Sequence, residues 1–290
     1  MKYLTKEWYE LCQRTWLHFG MKVNDGAAVY DEALYLRLYR RKEKEFVKIQ
    51  REIYDADPRF ALEQDGCTIT PFYIFANGEE IDVEDKIVYH MPSDEREHIL
   101  KRIEEYDVRP PFDVLKCREE FRSIQETVKI REAEEKIPHE LLQQIADMRV
   151  FSLGYCTKEV LKQLKRYSNE NEKKMKHVLS ENSEARMAES IPKSIKENFG
   201  FHDCRVKEFT IDKNKNIVIR LDTRGGFTDL NKITFVSPDI IKQEEHIMGS
   251  VWLYEELYRR DNGYEAHVLL AGEAMLDLII SCEDIVIDKE

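Results

Sequence analysis

The chain lacks the short motifs that usually announce chemistry. It has no Cys-x-x-Cys pair, no Gly-x-Ser-x-Gly elbow, no Gly-x-x-x-x-Gly-Lys-Ser/Thr loop and no Gly-x-Gly-x-x-Gly turn. Motif support for a dithiol redox centre, a serine-hydrolase nucleophile, a P-loop or a dinucleotide cradle is therefore missing, and no cofactor is implied. No stretch approaches the roughly 18 apolar residues that span a bilayer. The opening Met-Lys-Tyr-Leu-Thr-Lys-Glu-Trp has no apolar signal core. Glycine and proline are scarce, 11 and 8 in 290 residues, while 35% of residues are charged and 10% aromatic. That combination speaks for long solvated helices with real cores, not for a disordered chain.

Six cysteines, Cys12, Cys67, Cys117, Cys156, Cys204 and Cys282, are scattered in a manner that reads as free thiols of a reducing compartment. A cytoplasmic protein is expected. The formal net charge of −12 repels phosphate backbones and anionic lipid, so nucleic-acid and membrane binding are disfavoured and a basic protein partner is favoured. The length suggests two domains.

Apolar residues recur at helical spacing through most of the first 198 residues. Trp8, Leu11, Cys12, Trp16 and Phe19 mark a first helix capped by Thr5. A longer one is expected from about Ala27 to Tyr54. Its cluster Arg37, Arg40, Arg41, Lys42 and Lys44, interleaved with Tyr35 and Tyr39, is the most basic patch, but Glu43 and Glu45 make it read as a solvated face. Around Pro71 a short strand or an aromatic-wedged loop is expected, followed by an Asn77-Gly78 turn. The acidic run Glu79 to Asp85 lacks EF-hand order and reads as a solvated loop. Ser93 and Thr157 are expected caps of later helices, and residues 168–189 form a very polar arm.

At Phe199 the pattern changes. From Cys204 onward apolar residues alternate with period two, with one slip of parity between Val206 and Phe209 that signals a bulge. Asp261-Asn262-Gly263 is a strong hairpin turn. The expected fold class is α+β: a mainly helical domain over 1–198, then an antiparallel β-rich domain over 199–290, built as a meander, sandwich or open barrel.

Two candidate sites follow. His202-Asp203, at the change of pattern, could join His246 and His267 in a metal site, because strand-borne ligands need not be close in sequence. The bland reading makes the same pair a junction held by hydrogen bonds to backbone. Cys204 is no nucleophile, since Asp203 beside it disfavours the thiolate. Trp252, Tyr254 and Tyr258, read as one row opposite Val251, Leu253 and Leu257, form a candidate partner-binding face unless another part of the chain covers it.

The opening Met-Lys-Tyr-Leu-Thr-Lys-Glu-Trp-Tyr-Glu-Leu-Cys-Gln, the Phe-His-Asp-Cys-Arg-Val junction and Trp-Leu-Tyr-Glu-Glu-Leu-Tyr from Trp252 resemble a full-length uncharacterised family of Gram-positive bacteria, a domain of unknown function. The resemblance implies a bacterial cytosolic protein and carries over no functional residue. The C-terminal part also resembles small β domains of toxin-immunity proteins. Two functional expectations stand: a noncatalytic protein-interaction protein, of immunity type, that blocks a basic surface; and a metal-dependent hydrolase centred near His202-Asp203.

Overall fold

A computed structural model describes residues 1–69, 87–244 and 247–290. The strand expected around Pro71, the Asn77-Gly78 turn, the acidic run Glu79 to Asp85 and His246 lie outside the described residues. The architecture is α+β, with helices in the N-terminal part and an eight-stranded antiparallel sheet, not closed into a barrel, in the C-terminal part.

In chain order the principal helices are α1 (Lys6–Gln13), α2 (Glu32–Asp55), α3 (Ser93–Asp107), α4 (Val114–Ser123) and α5 (Lys129–Lys136). Next come α6 (His139–Leu142), α7 (Met148–Ser152), α8 (Lys158–Ala188) and α9 (Lys193–Lys196). The strands of the large sheet are β1 (Arg205–Ile211), β2 (Ile217–Asp222), β3 (Lys232–Val236) and β4 (Asp239–Gln243), then β5 (Val251–Arg260), β6 (Gly263–Ala271), β7 (Met275–Cys282) and β8 (Asp284–Asp288). Contacts divide the chain into two compact units. One comprises Asn24–Glu135 and Ile145–Thr157, the other Met1–Val23, Lys136–Gln144 and Lys158–Glu290.

The first unit is helical. Asp31 caps α2 by accepting from the amides of Ala33 and Leu34, and Asp113 does the same for α4 at Leu115 and Lys116. Leu34 and Leu38 of α2 pack with Phe121 of α4 and Val150 of α7. Tyr35 and Tyr39 pack against this core, with the Phe121 ring edge-on to Tyr39 at 5.1 Å. They are therefore not presented beside the basic residues of α2 as a stacking platform. A π-helical turn, Ile124–Val128, joins α4 to α5. At α3 the helix begins on Ser93 itself and Pro92 holds the cap position without a side-chain bond.

The second unit holds the sheet. Its strand order is β8-β3-β2-β1-β5-β6-β7-β4. Two three-stranded meanders, β1 to β3 and β5 to β7, lie side by side, with β4 added outside β7 and β8 outside β3. The parity slip expected near Val206 is a register shift between Val206 and Glu208. In the inner strands and β3 and β7, alternation buries one side: Ile217, Ile219, Ile233, Phe235, Val268, Leu270, Leu278 and Ile280 form one continuous core with Phe199, Phe201 and Trp252. Each such aliphatic side chain contributes on the order of 1.5–3 kcal/mol. The β5–β6 hairpin turns at Gly263, whose φ is 135° and whose hypothetical Cβ would lie 2.0 Å from the Cys282 carbonyl oxygen, so only glycine fits. Asp239–Gln243 is an edge strand exposed along its length.

The N-terminal segment belongs to this unit. Thr5 caps α1 by accepting from the Trp8 amide at 3.2 Å. Trp8 donates its indole N–H to the Met175 carbonyl of α8 at 3.5 Å. The polar stretch of residues 168–188 stays helical to Ala188, with Ser168 and Asn171 buried. Among the described residues no helix is long and apolar enough to cross a membrane.

Candidate functional site

The two meanders meet at one short seam. In the strand register β1 and β5 pair only at Arg205 and Val251. Loop bonds extend the seam: the Asp203 amide donates to the Trp252 carbonyl at 2.9 Å, and the Trp252 amide donates to the Cys204 carbonyl at 2.8 Å. Asp203 adopts a left-handed backbone, φ 65°, a conformation Asp tolerates better than most residues. The turn after β2 lies against this seam. A Cβ on Gly226 would fall 2.3 Å from the Cys204 sulfur, so glycine lets the turn close over it. Burial, reinforced by Asp203, Asp222 and Glu255, pushes the Cys204 thiol up, which keeps it protonated and inert.

His202 is half-exposed. Its Nδ1 meets the Leu253 carbonyl, and its Nε2 lies 3.7 Å from Asp203 Oδ2. The ring packs against Tyr254 at 5.1 Å and runs parallel to Phe227 at 6.4 Å. His267 sits on β6 directly opposite Glu256 of β5. Its Nε2 is 2.6 Å from Glu265 Oε1, and its ring stands edge-on to Tyr258 at 5.1 Å. The carbonyl that His202 contacts is three residues away from Glu256 along β5, about 10 Å of extended strand. Among the described residues no group of three or more His, Cys, Asp or Glu could hold a metal ion.

The structure separates the three aromatic residues of β5. The register steps from Leu269–Tyr254 to Leu270–Trp252, so Leu253 opposes no partner residue. This bulge resets the alternation. Trp252 is fully buried in the sheet core, edge-on to Phe199 at 5.9 Å and to Phe201 at 5.3 Å. Tyr254 and Tyr258 point to the other side, where the N-terminal segment covers them: Trp8 stands edge-on to Tyr254 at 5.1 Å.

Two neighbouring carboxylates on β5 were not distinguished by their sequence. Glu256, 5% exposed, accepts the amides of Lys2 at 2.6 Å, Tyr3 at 2.8 Å and Leu4 at 2.6 Å, together with the Tyr258 hydroxyl. Burial pushes its carboxyl up, but these four donors outweigh burial and the net shift is downward. Glu255 faces the opposite side. The Leu253 bulge brings it level with Trp252, whose indole N–H donates to it at 2.7 Å. Here burial dominates: the indole, the Arg186 charge, the Phe201 amide and His202 counter it only in part, and the carboxyl is raised. A signal was present. β5 reads apolar or aromatic on both sides, so consecutive glutamates there cannot both reach bulk water.

Glu255 and Glu256 line a cleft of about 30 Å³ between β5, the C-terminal end of α8 and the segment around Ile191 to Phe199. The fold and this seam define an α+β protein whose sheet is stitched by buried polar contacts. The chain belongs to the family described as "Protein of unknown function (DUF4085)", matched over residues 116–281. That match spans the seam and both glutamates. No curated protein and no solved structure matches the chain.

Proposed function

We propose that this is a noncatalytic protein-interaction protein that contacts its partner at the Phe227 loop beside His202 and Asp203. One observation carries the reading. Phe227 is 86% exposed although it sits on a turn packed tightly against the seam. Its ring is flanked by His202, itself against Tyr254. A large aromatic side chain presented on a braced loop costs little to order on binding, which is what an interface anchor needs. Charge favours a basic partner: residues 199–290 carry 18 Asp and Glu against 11 Lys and Arg. An immunity-type role, in which the acidic face covers a basic toxin surface, is one form of this reading.

Site-directed photo-crosslinking in the source organism tests it. A crosslinker at position 227 should capture one dominant protein, and Asp203→Lys should reduce that yield severalfold. Equal capture of the same protein from the exposed position Phe19, or no adduct at 227, would count against the proposal.

A further inference from the structure

The outward face of α2 carries more cations than its neighbours neutralise among the described residues. At about 3.6 residues per turn, Arg37, Arg40, Arg41, Lys44, Lys48 and Arg51 fall within an arc of about 100° and a length of about 21 Å. All six are exposed, on the side of the helix away from Leu38, Tyr39 and Phe46. The glutamates that interrupt the run in the sequence do not interrupt it in the fold. Glu43 turns off the row to Arg118, at 3.7 Å. Glu45 lies at one margin, 3.2 Å from Lys42 and 4.0 Å from Arg41, and Glu52, at the same margin, pairs with Lys48 at 3.6 Å. Among the described residues, the side chains of Arg37, Arg40 and Lys44 make no ion pair or hydrogen bond. Arg37 with Arg41, Arg40 with Lys44 and Lys44 with Lys48 are instead like-charge neighbours at i,i+4, each unfavourable to the helix by itself.

We infer that this face docks an acidic helix of a partner protein, its carboxylates spaced three and four residues apart to meet the row. The surface belongs to the helical unit and does not rest on the reading of the Phe227 loop. Arg37, Arg40, Arg41 and Arg51 favour carboxylates, which accept two parallel N–H bonds from one guanidinium. Two of these arginines are held before any partner arrives. Arg41 bonds the Tyr155 hydroxyl and lies 5.3 Å from that ring, and Arg51 lies 5.2 Å from the Phe112 ring. Cations ordered in advance lose less freedom on docking. Other polyanions fit less well. Single-stranded nucleic acid needs rings to stack on, and Tyr35 and Tyr39 pack against the core. A lipid surface needs apolar side chains on the face it meets, and between Arg37 and Arg51 no apolar residue falls within the arc. A nucleic-acid duplex extends past the row and meets the field of a chain with net charge −12, whereas a short acidic helix ends with the row.

Fluorescence anisotropy on the intact protein tests the surface. The ligand is a labelled alanine-based helical peptide with glutamate at i, i+3, i+7, i+11 and i+14, set beside an oligothymidylate of equal charge. The peptide should bind saturably, more tightly than the oligothymidylate, and lose affinity as salt rises. That comparison needs no variant. Arg40→Gln combined with Lys44→Gln should weaken the peptide about tenfold, whereas the equal charge change Lys129→Gln with Arg131→Gln on α5 should leave it within about twofold. All four side chains are exposed, so both double variants keep the fold. Absence of saturable binding, an equal loss from the two double variants, or tighter binding to the oligothymidylate or to phosphatidylserine vesicles would overturn the inference.

Discussion

Glu255 and Glu256 are consecutive residues of one strand, and they face opposite sides of the same sheet. On the Glu256 side a carboxylate sits under the N-terminal segment with four donors around it, and its pKa falls although water is excluded. On the Glu255 side the donors are fewer and its pKa rises. Burial alone therefore does not set the charge of a strand carboxylate; the number of N–H and O–H groups aimed at it does. The same contrast separates their roles. Glu256 is a structural latch that holds residues 2–4 to the sheet. Glu255 is held by the Trp252 indole and the Phe201 amide, beside the Arg186 charge.

The contrast can be broken at the residue that keeps the two sides distinct. Trp252→Ala removes a fully buried ring from the sheet core and strips Glu255 of its indole donor. It should cost about 3–5 kcal/mol, read as a fall in the urea midpoint at unchanged slope. Glu256→Ala should cost about 3 kcal/mol, because three amides and a hydroxyl lose one shared acceptor. Hydrogen exchange would place that loss: the amides of Lys2, Tyr3 and Leu4 should exchange faster, while those of β6 and β7 keep their relative protection. If residues 2–4 remain protected, Glu256 is not the latch.

A smaller effect sharpens the electrostatics. Glu244 bonds to Lys6 at 2.9 Å, and Lys6, ahead of a Lys242 contact and the Asp277 amide, helps hold its carboxyl down to about 2 against burial. A depressed carboxylate stabilises the fold above its ordinary pKa near 4.5, and that contribution disappears as pH falls toward 2. Lys6→Met should therefore lower the urea midpoint most at pH 7, by a modest amount because the pair is partly solvated, and the difference from the unsubstituted chain should shrink as pH falls below about 4.5. The measurement is the urea midpoint followed from pH 7 to pH 3.

Much of the sheet was legible because its strands contrast apolar and polar sides. The hairpin at Asp261-Asn262-Gly263 and the slip near Val206 both follow from that contrast. β5 offered no such contrast. With Trp252, Leu253, Tyr254, Leu257 and Tyr258 apolar on both sides, nothing in the pattern reveals that Leu253 is the extra residue of a bulge, so Trp252 is easily assigned to the wrong side. The site was legible only in part. His202 and Asp203 stand out because they interrupt a change of period. Glu255 and Glu256 are marked only by the apolar residues on both sides of β5, which keep them from both reaching water; which partners each one meets is set by long-range contacts. Phe227 follows two glycines in a loop, and its exposure depends on how that turn packs on Cys204.

The most direct test is a 13C NMR titration of the two side-chain carboxyls in the intact protein. Linkage gives each a definite sign. A lowered Glu256 adds stability above its ordinary pKa and loses it in acid; a raised Glu255 favours the fold at low pH and opposes it as pH rises through its folded value. The account predicts that Glu256 titrates below 4.5 and Glu255 above it. Coincident titrations near 4.5, or the reverse order, would contradict it.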